Sequence, residues 1–148
     1  MEKLRNEKVD FRILVRCAPE RVFDALATAG GLNEWFSHST ELDPRPGGEI
    51  TFRWKDYGID KFTGEYPGKV LEWTRPTCYV YQWEADSRGY FTTVTVDFTP
   101  RPDGTLIHLV ETGYKDTLEG MQDLLNRVSG WASVLTEMKY FLEHGVKY

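Results

Sequence analysis

Cysteine and histidine are both scarce in this chain, and each shortage removes a class of chemistry. Cys17 and Cys78 stand far apart with no Cys-x-x-Cys spacing, so neither a disulfide framework nor a zinc ribbon fits, and a reduced, cytoplasmic protein is expected. The histidines, His38, His108 and His144, are too dispersed to group as metal ligands. There is no Gly-rich phosphate loop, no His-Glu-x-x-His and no Gly-x-Ser-x-Gly, so neither a metal nor a cofactor is expected. Basic residues are in deficit: 18 Lys and Arg against 23 Asp and Glu leave a formal charge of −5 and a pI of about 5.2. That excludes a nucleic-acid partner, which needs a basic footprint to neutralise phosphates. No apolar run reaches membrane-spanning length, and the segment from Met1 to Lys8 is too charged for a signal peptide, so no membrane partner is expected.

What the chain has in excess is aromatic surface. Eight Tyr, eight Phe and five Trp make 14% of 148 residues, a length suited to a single domain over 1–148. Such side chains must fill a core or line a cavity. The alternation Val9, Phe11, Ile13, Val15 predicts a half-buried first strand. At Ala18-Pro19-Glu20 the period changes to helical, with Pro at a first helical position and an acid in the first turn. Val22, Phe23 and Leu26 follow at helical spacing. Gly30-Gly31 then predicts a break before a second short helix over Leu32 to Phe36.

Turn chemistry at Pro44–Gly48, Asp56–Gly58, Asp86–Gly89 and Pro100–Gly104 divides the middle of the chain into strands. The alternating sets are Ile50/Phe52/Trp54, Phe62 to Trp73, Tyr79/Tyr81/Trp83, Val94/Val96/Phe98 and Ile107/Leu109. Successive hairpins imply an antiparallel sheet. Gly64, Pro67 and Gly68 predict a break or bulge within the long strand. The last element is a long helix. Asp116-x-x-Glu119 resembles a capping box, apolar residues recur at three- and four-residue steps from Leu118 to Leu142, and Gly145 is placed to end it. Its length is about 40 Å at about 1.5 Å per residue. The mixed-sign residues Asp123, Asn126, Arg127, Ser133, Glu137 and Lys139 read as its solvated outer face, unlike a basic membrane-binding face. The predicted fold class is α+β, with a sheet whose apolar face needs the long helix.

The stretch Ala18-Pro19-Glu20-Arg21-Val22-Phe23-Asp24-Ala25-Leu26 resembles the AHSA-type family, named for activators of the ninety-kilodalton heat-shock chaperone's ATPase. Trp35-Phe36, Pro46-Gly47-Gly48, Gly68-Lys69-Val70-Leu71-Glu72, Tyr81-Gln82-Trp83, Glu111-x-Gly113 and Gly130-Trp131-x-x-x-Leu135 extend the likeness. It runs from about Val9 to Leu142. That family lies within the START-like, or SRPBCC, superfamily. The resemblance implies a helix-grip fold like that of the birch-pollen allergen: a curved antiparallel sheet of about six or seven strands around a long C-terminal helix. Many relatives carry a histidine where this chain has Glu111.

Alternation puts Glu111 on the face of Ile107 and Leu109, where a carboxylate must be paired, hydrogen-bonded or protonated. It is either ligand-facing at a cavity mouth or paired with an Arg or Lys at the strand end. His108, between those two residues, is read as a surface residue, and Trp131 as the core anchor of helix to sheet. The candidate ligand-binding set takes Phe36 from the second helix and Trp54, Tyr81 and Trp83 from the strands. Leu109 and Glu111 join from the last strand, and Met121, Leu124, Leu125 and Val128 from the helix. Three functions follow: binding of a small hydrophobic or aromatic molecule between sheet and helix, a co-chaperone-like interaction with a chaperone partner, or a cyclase- or hydrolase-type enzyme using the same cavity. No catalytic residue is assigned, and the first reading is preferred.

Overall fold

A computed structural model describes residues 2–147. In chain order the elements are β1 (Val9–Val15), α1 (Pro19–Ala27), α2 (Ala29–Trp35), β2 (Glu41–Leu42), β3 (Glu49–Tyr57), β4 (Phe62–Thr74), β5 (Cys78–Glu84), β6 (Phe91–Arg101), β7 (Gly104–Thr112) and α3 (Leu118–His144). The strands form one seven-stranded sheet ordered β1-β7-β6-β5-β4-β3-β2, antiparallel throughout. The first two strands therefore sit on opposite edges, and α1 and α2 carry the chain from one to the other. Inward residues from β5, β6 and β7 form the centre of the core with Trp131, Leu135 and Met138 of α3. The fold is a curved sheet closed by a long C-terminal helix, the helix-grip architecture.

Two local expectations are corrected, and a third, the irregular long strand, is met in part. The break between the short helices falls at Thr28, before the glycine pair. The Thr28 hydroxyl donates to the Asp24 carbonyl at 2.6 Å and accepts from Gly31 N at 3.0 Å, ending α1 and capping α2. Gly31 is needed inside α2 because a Cβ there would lie 1.8 Å from the Asp24 carbonyl oxygen. Similarly, α3 is capped by Thr117, whose hydroxyl accepts from Gly120 N at 3.0 Å, and Asp116 lies one residue outside. Gly145 does end α3, in a left-handed conformation with φ of 70°.

The long strand β4 is continuous through Gly64 and Pro67, but its pairing with β3 is irregular beside Gly64, between Trp54 and Tyr57, and its pairing with β5 is irregular between Val70 and Glu72. The strand tolerates Pro67 because β5 joins β4 only at Gly68. Residues Phe62–Pro67 pair with β3 alone, so the proline's missing N–H leaves no neighbour on the other side unsatisfied. The far end of the β3–β4 hairpin is thus an arm extending beyond the rest of the sheet, and this arm makes one wall of the site.

Candidate functional site

A buried charge organises the site. Glu111 is 0% exposed on the inner face of β7, in line with Ile107 and Leu109. A carboxylate so placed needs a counter-charge and donors for its lone pairs. Arg127 of α3 supplies the charge, its Nη1 donating to Glu111 Oε2 at 2.5 Å. Trp83 Nε1 at 2.7 Å and Thr92 Oγ1 at 2.6 Å donate to the same oxygen, and Trp131 Nε1 donates to Oε1 at 2.9 Å. Trp83 and Thr92 face each other across β5 and β6, and Glu111 sits diagonally from Thr92 on β7. Three strands and one helix therefore converge on one side chain.

The guanidinium of Arg127 is fully engaged. Its Nη2 donates to the Glu84 carbonyl at 2.6 Å, and its Nε donates to Asp86 Oδ1 at 3.3 Å. The group lies over the Trp83 ring, 4.3 Å from the centroid. Burial opposes its charge, but Glu111 and Asp86 outweigh burial and hold its pKa above the usual arginine value. One turn earlier on the helix, buried Asp123 accepts from Ser87 N at 3.0 Å, Ser87 Oγ at 2.6 Å and Tyr90 Oη at 2.7 Å. That second cluster fastens the β5–β6 turn to α3.

Between this network and the β3–β4 arm lies a cleft of about 180 Å³. The arm is tied down by the Tyr57 hydroxyl, which donates to Glu137 of α3, by the Tyr66 hydroxyl, which donates to Asp86 at 2.8 Å, and by the Glu65 carbonyl, which accepts from Arg88 Nη1 at 2.9 Å. Burial and the bond to Asp86 push the Tyr66 pKa up to about 12. Phe36, Trp54, Phe62, Tyr66, Trp83 and Trp131 provide the walls. Gly130 also borders the cleft, and a Cβ built on it would meet nothing within 4 Å. The glycine that weakens the helix thus leaves space beside the arm.

Of the residues expected at the site, the structure brings Phe36, Trp54 and Trp83 together in the cleft. Tyr81 and Leu109 lie deeper, in packed core beside Trp131, and Leu124 is buried away from the cleft. Met121, half-buried, is also away from it. Leu125 and Val128 face outward, 59% and 36% exposed, as does Leu118 at 78%. Glu111 is paired and sealed behind the wall rather than at a cavity mouth. The solvated face assigned to Asp123 and Arg127 is also corrected, since both are buried. At about 100° per residue, Arg127 lies about 40° from Trp131 around the helix, whereas Leu125 lies about 120° away. Side-chain polarity misplaced the face; angular position relative to Trp131, and the need of an inward Glu111 for a cation, were the signals pointing to Arg127.

The sheet, the gripping helix and the cleft between them define a START-like domain of the ligand-binding kind. The chain belongs to the family described as activator of Hsp90 ATPase homolog 1-like protein, whose profile matches residues 16–143. Among solved structures it is similar to protein MLL2253 from Mesorhizobium loti, with TM-score 0.76 and 18% identity over 93% of this chain and 97% of the other. It is similar to the Aha1 dimer from Colwellia psychrerythraea, with TM-score 0.75 and 21% identity over 94% and 98% of the two chains. CalU16 from Micromonospora echinospora gives 0.72 and 19% over 97% and 82%. At these identities the likeness is one of fold. No curated protein matches the sequence.

Proposed function

We propose that the cleft between the β3–β4 arm and α3 binds a small molecule of apolar contour, about the size of one or two rings. The observation that carries this is an aromatic-walled space of about 180 Å³ held open beside a glycine. An apolar cavity of about 150 Å³ accommodates benzene, whereas drug-sized ligands occupy about 300–1,000 Å³. The volume therefore favours a compact ligand over a lipid. Affinity would come mainly from apolar area removed from water, at about 25 cal/mol per Å². Glu111 would act as a positioning residue by fixing the indoles of Trp83 and Trp131. A role as general base is disfavoured, because four donors already occupy its oxygens and no face of it is open. The test is a titration of one- and two-ring neutral aromatics by ligand-observed NMR against the parent chain and Gly130→Leu. Saturation transfer from the parent chain to the ligand, lost with the variant, is expected; transfer unchanged with Gly130→Leu would refute the site.

A second reading rests on the outer face of α3, where Leu118, Leu125 and Val128 form an exposed apolar stripe suited to a protein partner. The family description makes a chaperone ATPase the partner to test. Stimulated ATP turnover that is lost in Leu125→Glu is the expected outcome; no stimulation by the parent chain would remove this reading.

A further inference from the structure

We propose that the ligand of this cleft is a cation with an apolar envelope, an alkylated ammonium, held by ring faces and surrounding carboxylates. The inference rests on the reading of the cleft as a ligand site and concerns what that site selects.

The first argument is the arrangement of the rings. Trp54 and Tyr66 meet at 84°, Phe36 and Tyr57 at 87°, and Phe36 and Trp54 at 74°. Rings set edge to face in this way form the sides of a box rather than a stack. A box offers several negative ring faces to one central charge. The same wall already attracts cations from the protein itself: the Arg88 guanidinium lies 4.0 Å from the Tyr66 centroid and that of Arg127 lies 4.3 Å from Trp83. Among the described residues no cation lies over Phe36, Trp54 or Phe62.

The second argument is the charge balance. Asp86 lines the cleft, Glu137 stands one hydrogen bond behind Tyr57, and Glu111 stands one behind both Trp83 and Trp131. Against these three carboxylates the described lining holds one cation, Arg127, whose donors are spent on Glu111, Asp86 and the Glu84 carbonyl. Lys147, in the neighbouring surface recess with Glu137, offsets one more, and Arg88 pairs with Glu84. Counted together, the four carboxylates Asp86, Glu111, Glu137 and Glu84 exceed the three cations Arg127, Lys147 and Arg88 by one. An anionic ligand would meet that excess with no free guanidinium to receive it; a hydrated ammonium would have to shed its water for carbon walls. A methylated ammonium is weakly hydrated, fits the volume and answers the field.

The experiment compares choline with 3,3-dimethyl-1-butanol, its neutral isostere, by calorimetry and ligand-observed NMR on the full chain. Choline is expected to bind roughly tenfold or more tightly than the isostere, the sum of a few ring contacts, and to weaken as salt rises. Glu137→Gln, which keeps the shape and a bond to Tyr57, should reduce choline affinity several-fold while leaving the isostere unchanged. Trp54→Leu should weaken choline, with far-UV circular dichroism reporting whether that variant is folded. Equal binding of choline and isostere, or choline binding unmoved by Glu137→Gln, would overturn the inference. If neutral aromatics bind in a Gly130-dependent way and choline does not, the cleft stands and its preference for charge is refuted. If no compound of either class binds, both fail.

Discussion

Glu111→Gln removes one negative charge from the interior with almost no change in volume, and its cost follows from the four bonds to the carboxylate. Oε2 accepts from Trp83, Thr92 and Arg127, and Oε1 accepts from Trp131. A glutamine can place its carbonyl oxygen at the Oε2 position and keep three of these donors. Its amide nitrogen then confronts the Trp131 indole N–H, donor against donor. The greater loss is electrostatic, because Arg127 retains only Asp86, at 3.3 Å. Removing one partner of a buried pair costs about 3–5 kcal/mol, and the remaining Asp86 places the expectation near about 3 kcal/mol. Against a total of about 5–15 kcal/mol this is a large fraction. At about 2–4 °C per kcal/mol, Tm falls by about 6–12 °C. Urea and thermal unfolding followed by tryptophan fluorescence measure it. The pair itself is isolated by Glu111→Leu combined with Arg127→Met. The double variant should be more stable than Glu111→Leu alone, since the orphaned guanidinium is gone, yet below the parent, since two indole N–H groups lose their acceptor. A Tm for Glu111→Gln within about 2 °C of the parent, or strict additivity in the cycle, would refute the reasoning.

Two further outcomes test other parts of the fold. Gly130→Ala should stabilise α3 by about 0.5–1 kcal/mol, because the new methyl meets nothing and the helix gains propensity; the same change at Gly31 should destabilise strongly, its methyl falling 1.8 Å from the Asp24 carbonyl oxygen. Opposite signs in urea midpoints are expected, and matching signs would contradict the helix contacts described. Burial, then the bond to Glu72, pushes the Cys78 thiol up to about 12 from an ordinary 9.0, and burial raises Cys17 as well. Both should react with a disulfide reagent at pH 8 far more slowly in the native chain than in urea. Because Cys78 holds its proton more tightly when folded, its contribution to stability is full below about pH 9 and declines as pH rises toward its folded value. Native reactivity equal to that in urea would place both thiols at the surface.

The Glu111 network links stability to the proposed binding role. Trp83 and Trp131 each present a ring to the cleft while their indole nitrogens are held by Glu111 behind it. Arg127 lies over the Trp83 ring, and Asp86 joins Arg127 to Tyr66. The cleft wall is therefore positioned by buried polar bonds as well as by ring packing. A loss of ligand affinity that tracks the loss of stability in Glu111→Gln is the expected signature.

The amino-acid sequence by itself determined the longer elements and their order, but not the two-residue edge strand Glu41–Leu42. Period-two alternation marked each long strand, helical spacing marked the C-terminal helix, and glycine chemistry marked its end at Gly145, because these signals depend on neighbours a few residues apart. It also placed Glu111 on an inward face. The tertiary structure decided what that inward charge meets. Arg127 is 16 residues away in the chain and Trp83 is 28, so their meeting depends on how β5, β6, β7 and α3 assemble. Polarity assigned Arg127 to water and Leu125 to the interior, whereas the angular position of Trp131 and the demand of a buried carboxylate reversed them. The cleft was legible only in part: Phe36, Trp54 and Trp83 were recognisable by type and alternation, while Phe62, Tyr66 and Gly130 entered it because β5 stops pairing with β4 at Gly68 and leaves an arm beside the helix. That geometry is a property of the whole sheet, which no local pattern encodes.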